Sequence, residues 1–181
     1  MDAVNDGGGF RMSDLRGKPV TAWAWTVATF FGAGFLRPGP GTWGSVAATI
    51  VYGIAVALFH PSPMPLLLGT LAALLIVVAA GVPAATLAAR ESGRKDPGFV
   101  VIDEVAGMAV ALLPAAAYAP SGLAWKPMLG ALILFRIFDV WKPFPVHHLE
   151  KLPEGWGIVF DDLAAGLYAG ICLLLMMRWM R

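Results

Sequence analysis

Residues 64–88 read MPLLLGTLAALLIVVAAGVPAATLA, a run without a single charged side chain. A helix needs about 20 predominantly apolar residues to cross the hydrocarbon core of a bilayer, so this run predicts a membrane-spanning helix. Further runs of similar character lie at 43–59, 99–118, 124–141 and 157–177. The sequence therefore predicts an all-α protein, a polytopic membrane helical bundle of about five spans.

The composition of the whole chain supports a membrane class. Of the 181 residues, 58% are hydrophobic and 14% are charged, whereas soluble domains have roughly 45–50% apolar and about 25% charged residues. The net charge of +1 leaves no basic stripe to neutralise the phosphates of a nucleic acid, so we expect no nucleic-acid partner. A single cysteine, Cys172, excludes a disulfide framework.

The chain divides into a polar start and one membrane-embedded domain. Residues 1–18 are polar and glycine-rich, which predicts a flexible cytoplasmic tail, and 19–181 form the single domain. The apolar stretch 21–36 is short and interrupted by Gly32 and Gly34, so we expect an interfacial or re-entrant segment there. Asp96 and Pro97 are typical of an N-cap and a first helical position.

The distribution of Lys and Arg predicts the orientation. With five spans and the amino terminus inside, nine Lys and Arg fall in the inner segments and three in the outer ones. The positive-inside rule then places 89–98 and 142–156 on the cytoplasmic side and 60–63 on the opposite side.

Five of the twelve carboxylates lie within the predicted spans, where charges are costly and commonly functional. Helical rise places Asp103 roughly 10 Å into its helix, and all five lie towards the cytoplasmic side. Arg136 and Asp139, at i and i+3, could simply neutralise each other. That pairing leaves most of the carboxylates unbalanced, because Arg136 and Lys142 are the nearby cations. A hard divalent cation such as Mg²⁺, which binds carboxylates together with substrate phosphate, would balance them. The five carboxylates are Asp103, Glu104, Asp139, Asp161 and Asp162.

A second unusual stretch, RPGPGTWGS at 37–45, leads directly into the first predicted span. Glycines allow consecutive backbone N–H groups to point at an anion, and a helix N-terminus favours negative charge. Such a loop can also be only a turn before a membrane helix. Its predicted cytoplasmic position, on the same side as the carboxylates, favours phosphate binding.

Four motifs in order resemble the phosphatidylglycerophosphatase A family. They are RPGPGTWGS at 37–45, VIDEVAG at 101–107, FRIFDVWKP at 135–143 and GIVFDDLAAG at 157–166. The resemblance runs from about Phe31 to Gly170. It implies a magnesium-dependent phosphatase of the bacterial inner membrane that removes the terminal phosphate of phosphatidylglycerophosphate, leaving phosphatidylglycerol.

The resemblance and the carboxylates together suggest roles for individual residues. We expect Glu104, Asp139, Asp161 and Asp162 to hold one or two Mg²⁺ ions, with Asp103 coordinating directly or supporting a ligand. Arg136 and Lys142 would neutralise the remaining phosphoryl oxygens. The substrate-binding candidates are Arg37, Gly41, Thr42, Trp43, Gly44 and Ser45.

An alternative function is a cation transporter or channel, because carboxylates within a membrane also mark ion paths. A conduction path needs polar groups in both halves of the membrane. The outer halves of the predicted spans carry no charge except Lys126, which favours the phosphatase.

Overall fold

The computed structural model describes residues 20–118, 125–144, 146–149 and 153–179. All regular structure within these ranges is helical, which confirms the all-α class. The elements, in chain order, are α1 (Ala22–Ala28), a 3₁₀ turn (Ala33–Phe35), α2 (Pro40–Phe59), α3 (Pro63–Ser92), α4 (Ile102–Tyr118), α5 (Trp125–Trp141), α6 (Val146–Leu149) and α7 (Glu154–Trp179). The predicted tail at 1–18 lies outside the described residues.

Three helices are long and apolar enough to cross a membrane. They are Pro40–Phe59, Pro63–Ser92 and Gly155–Trp179, and they match three of the predicted spans. Helices α4 and α5 occupy the other two predicted runs, but each has 17 residues and carries charges near the site described below. A count of about five spans is therefore not confirmed, although the five long helices lie where the sequence placed them.

Helix α4 is the centre of the bundle and packs against α2, α3, α5 and α7. Met108 and Leu112 on α4 are buried, as is Phe135 on α5. The approach of α4 to α7 is close because both helices carry glycine at the contact: a Cβ on Gly166 would collide with the carbonyl oxygen of Gly107. Small residues of this kind allow membrane helices to approach each other closely.

The predicted segment at 21–36 consists of α1 and the 3₁₀ turn. Helix α1 has seven residues, too few to cross a bilayer. Glu91, at the end of α3, fixes the start of α1. The Glu91 carboxylate accepts hydrogen bonds from Thr21 N at 3.0 Å and from Trp25 Nε1 at 2.7 Å. Whether this segment lies in the membrane interface stays a prediction.

The prediction that Asp96 and Pro97 begin a helix is wrong. Helix α4 begins at Ile102, and Pro97 instead accepts a hydrogen bond at 2.8 Å from Val100 N within a turn. Asp103 and Glu104 therefore lie in the first turn of α4, and the estimate that Asp103 is roughly 10 Å inside its helix is also wrong. Carboxylates at a helix start are favoured by the free amides and the helix dipole.

Candidate active site

A polar cavity of about 270 Å³ lies where α2 and α4 begin and α5 ends, beside the first turns of α7. We call it the acidic cavity. It contains all seven residues that the sequence predicted to be catalytic, and two further charged residues from the loop before α4. Its charged lining residues are Lys95, Asp96, Asp103, Glu104, Arg136, Asp139, Lys142, Asp161 and Asp162.

Three of these carboxylates form a tight cluster. One oxygen each of Asp103, Glu104 and Asp162 lies within 4.8 Å of the others. Helix α4 supplies the first two from its first turn, and α7 supplies the third. Asp103 Oδ1, Glu104 Oε2 and Asp162 Oδ2 are buried and have no hydrogen-bond partner among the described residues. Unpaired buried charge is costly, and these three carboxylates are close enough together that they could hold a metal ion.

The other two carboxylates that the sequence predicted, Asp139 and Asp161, are paired with cations of the chain. Asp139 Oδ2 lies 2.6 Å from Arg136 Nη1, and the same nitrogen lies 3.9 Å from Glu104 Oε1. Lys142 Nζ donates to Asp161 Oδ2 at 2.8 Å. Asp161 also accepts a hydrogen bond at 3.0 Å from the backbone of Asp162, so it helps to fix the turn that presents the Asp162 side chain.

The cluster differs in composition from the predicted ligand set of Glu104, Asp139, Asp161 and Asp162. The structure places Asp103 directly in the cluster, and it pairs Asp139 and Asp161 with Arg136 and Lys142. Spacing along a helix could not show which of the five predicted carboxylates would meet in one cluster, because that depends on how the helices that carry them are rotated against each other.

The start of α2 contributes one of the six predicted substrate-binding residues to the acidic cavity. That residue is Gly41, whose backbone lies against the carboxylate of Glu104. Gly39 and Pro40 line the same wall. Arg37 instead lines a neighbouring cavity.

The other predicted residues of this loop have different surroundings. The side chains of Thr42 and Trp43 are exposed, and Gly44 packs against Val101. Ser45 is buried and donates through Oγ to the carbonyl of Gly41 at 2.9 Å. The amides of residues 42 and 43 donate to the carbonyl of Gly39 at 3.0 and 3.3 Å, because the helix has already begun there.

Sequence reasoning missed Lys95, Asp96 and Gly98, which line the acidic cavity from the loop before α4. A signal was present, since a Lys–Asp pair precedes Pro97 and Gly98 between two predicted spans. It was interpreted as a helix start, so the side chains were not considered part of the site.

The fold and the cavity together define a class: a helical protein with helices suited to a membrane and a buried carboxylate site at one end of the bundle. The family model for phosphatidylglycerophosphatase A matches residues 26–177, and the chain belongs to this family. This confirms the resemblance seen in the four motifs.

Curated relatives extend the match over most of the chain. Phosphatidylglycerophosphatase A of Haemophilus influenzae is 38% identical over 155 residues, covering 85% of this chain and 88% of the relative. A putative phosphatidylinositol-3-phosphatase of Bacteroides thetaiotaomicron is 37% identical, covering 84% of this chain and 92% of the relative. Phosphatidylglycerophosphatase A of Escherichia coli is 31% identical, covering 84% and 83%. No solved structure matches the chain.

Membership of the family supports phosphatase activity on a lipid phosphate. It gives no support to the alternative of a cation transporter or channel. The three apolar helices support association with a membrane.

Proposed function

We propose that this protein hydrolyses the terminal phosphomonoester of phosphatidylglycerophosphate to give phosphatidylglycerol, with Mg²⁺, at the inner leaflet of a bacterial inner membrane. The observation that carries the proposal is the cluster of Asp103, Glu104 and Asp162, whose buried oxygens have no partner among the described residues. Three cationic residues of the chain, Lys95, Arg136 and Lys142, line the same cavity, so the cavity offers groups both for a metal ion and for phosphate.

The cluster fits Mg²⁺ by its chemistry. Mg²⁺ prefers oxygen ligands and is commonly held by a few carboxylates together with substrate phosphate. Asp103, Glu104 and Asp162 are the residues that would hold it. When bound, Mg²⁺ neutralises charge on the phosphoryl group and helps to activate water for in-line attack.

The cations of the chain would bind phosphoryl oxygens that the metal ion leaves free. Arg136 faces both Asp139 and Glu104, and its planar guanidinium can donate two parallel hydrogen bonds to a phosphate. Lys142 lies across the cavity on Asp161 and would add a point charge. The glycine at position 41 allows the start of α2 to approach the Glu104 carboxylate, which keeps that wall of the cavity narrow.

Direct hydrolysis by water suits the residues present better than a covalent route. Cys172 lies ten residues beyond Asp162 on α7 and does not line the acidic cavity. The spacing Cys-x₅-Arg occurs at Cys172 and Arg178, but both residues lie within the helix α7 rather than in a loop, and neither lines the acidic cavity. An Asp-x-Asp-x-Thr motif is absent from the sequence. The chain's contribution would then be binding, orientation and charge stabilisation around the phosphoryl group.

Phosphatidylinositol 3-phosphate is a second candidate substrate, favoured by the name of the relative from Bacteroides thetaiotaomicron, a putative phosphatidylinositol-3-phosphatase. It also carries a phosphomonoester on a lipid headgroup. Both substrates would undergo the same hydrolysis, so the protein would discriminate between them by how well each headgroup fits the cavity and not by a different mechanism.

The test is phosphate release by the purified protein in detergent from each of these two lipids, with Mg²⁺ and with excess chelator. We expect faster release from phosphatidylglycerophosphate, and loss of release in chelator that returns when Mg²⁺ is restored. The Asp162→Asn variant, assayed alongside, controls for contaminating phosphatase. Release that persists in chelator, or that the variant retains, would contradict the metal site.

A further inference from the structure

A second cavity of about 410 Å³ adjoins the acidic cavity and shares Gly39, Pro40 and Gly98 with it. Arg37 reaches it from the loop before α2, and Arg94 from the loop after α3. They are the charged residues of its lining, whereas the acidic cavity is dominated by carboxylates. We call it the Arg37–Arg94 cavity.

The base of the Arg37–Arg94 cavity is firmly packed. Phe99 is buried between Trp25 and Phe35, with ring centroids 4.7 and 6.1 Å away. Gly34 lies directly on the carbonyl of Phe99, where a Cβ would collide. The two loops that carry the arginines are therefore held against each other by buried contacts, and these contacts fix the shape of the cavity.

The two cavities have opposite electrostatic preferences. Phosphate can enter the acidic cavity only when cations offset the charge of its carboxylates. In the Arg37–Arg94 cavity the guanidinium groups can bind phosphate directly, each through up to five N–H donors. The shared wall of Gly39, Pro40 and Gly98 places these two environments side by side. A ligand with two phosphates joined by a short linker can occupy both.

We propose that the Arg37–Arg94 cavity binds the phosphodiester of the lipid substrate while its phosphomonoester lies in the acidic cavity. This inference rests on the proposed function, since it concerns the second phosphate of the same substrate. Phosphatidylglycerophosphate carries the diester and the monoester on one glycerol. The cavity thus selects lipids that carry both groups over phosphatidate, which has the monoester alone.

The experiment measures binding of short-chain phosphatidylglycerol, which has the diester but no monoester, to the purified protein in detergent at low salt. Calorimetric titration gives Kd for the parent protein, Arg94→Gln and Arg37→Gln. We expect each substitution to weaken binding by about tenfold, equivalent to ~1.4 kcal/mol. Diacylglycerol, which lacks phosphate, should bind all three proteins equally.

Arg90→Gln is the matched control, because Arg90 is exposed in the last turn of α3 and lines neither cavity. It removes the same charge four residues before Arg94 in the sequence, so it reports any general attraction between this face of the protein and anionic lipid. We expect Kd within about twofold of the parent, less than ~0.5 kcal/mol. Equal weakening by Arg90→Gln and Arg94→Gln would overturn the proposal, as would no weakening by either arginine of the cavity.

A kinetic measurement extends the test to turnover. The ratio of kcat/KM for phosphatidylglycerophosphate to kcat/KM for phosphatidate should fall about tenfold in Arg94→Gln, equivalent to ~1.4 kcal/mol, and stay at the parent value in Arg90→Gln. Thermal unfolding checks that the variants are folded. If the parent protein released no phosphate from any lipid, the proposed function would fail, yet the binding titration would still decide whether the second cavity takes a phosphodiester.

Discussion

Gly41 on α2 lies so close to Glu104 on α4 that a Cβ at position 41 would overlap Glu104 Oε1. The same Cβ would lie 3.3 Å from Arg136 Nη1. Because residue 41 has no side chain, the Glu104 carboxylate can occupy the space where a Cβ would be. The guanidinium of Arg136 borders the same space. Glycine at this position has a role in the geometry of the site, and not only in the turn before the helix.

Gly41→Ala should lower activity about a hundredfold, because a displacement of about 1 Å at a reacting centre can cost that much. The protein should still fold, since the overlap is with the end of a flexible side chain rather than with backbone. Phosphate release and thermal unfolding in detergent measure the two effects.

Gly69→Ala is the control for the change to alanine. Gly69 also lies within a helix, but a Cβ there would meet nothing within 4 Å. Parent activity is expected, with equal or slightly higher stability, because alanine favours a helix over glycine by about 1 kcal/mol. Full activity in Gly41→Ala would show that the close approach to Glu104 has no functional importance.

Asp162→Asn and Glu104→Gln should abolish turnover without unfolding the protein. An amide keeps the shape of the side chain but loses the negative charge that a metal ion needs. Activity within about tenfold of the parent, roughly 1.4 kcal/mol of barrier, would remove that residue from the set of ligands.

The variant Asp162→Asn should lose activity without losing stability. In chelator, Asp162→Asn should unfold at an equal or higher temperature than the parent, because it removes a buried charge that has no partner among the described residues. Added Mg²⁺ should raise the unfolding temperature of the parent but not of the variant. A variant that is active and responds to Mg²⁺ like the parent would contradict the role of Asp162.

Much of this site could be predicted from the sequence, because charges in apolar helices are rare and have few structural explanations. All seven predicted catalytic residues line one cavity. The choice between neighbours could not be predicted: Asp103 rather than Asp139 joins the cluster, because the rotation of α4 and α5 against α7 decides which side chains meet. The sequence indicates only that Arg94 belongs to the basic segment 89–98 on the predicted inner side. It could not predict that Arg94 shares a cavity with Arg37, because the two residues are 57 positions apart.

The fold shows the same division between local pattern and tertiary packing. Long uncharged runs such as 64–88 predict helices well, and α3 extends four residues beyond that run, to Ser92. The start of α4 was misplaced because Asp96 and Pro97 satisfy the rules for a helix start. The chain instead makes a turn there, which allows Val101 N to donate to the carbonyl of Ala28 at 2.8 Å and connects α4 to α1.

Lys95→Cys and Ser62→Cys, each in a background without Cys172, test the orientation. The excess of Lys and Arg on the predicted inner side places position 95 in the cytoplasm and position 62 outside. In intact cells, an impermeant thiol reagent should label position 62 and reach position 95 only after the membrane is permeabilised. Labelling at position 95 but not at 62 would reverse the orientation and place the acidic cavity on the other face.

Arg136 and Asp139 provide the test that separates phosphate binding from structural pairing. The ion pair between them, at 2.6 Å, could exist only to balance two charges near the membrane. In that case Arg136→Met combined with Asp139→Leu should retain activity, because apolar replacement of a buried ion pair is often tolerated. If Arg136 binds the phosphoryl group, as proposed, the double variant should fold but lack activity.

Arg136→Lys makes the distinction sharper, because it keeps the positive charge opposite Asp139. An ammonium group cannot reproduce the two parallel hydrogen bonds of a guanidinium on a phosphate. We therefore expect activity to fall at least tenfold, or ~1.4 kcal/mol of barrier, while thermal unfolding stays near that of the parent. Magnesium-dependent phosphate release is the assay for both variants. An active double variant would make Arg136 and Asp139 a structural pair and would leave Lys142 as the cation that binds the phosphoryl group.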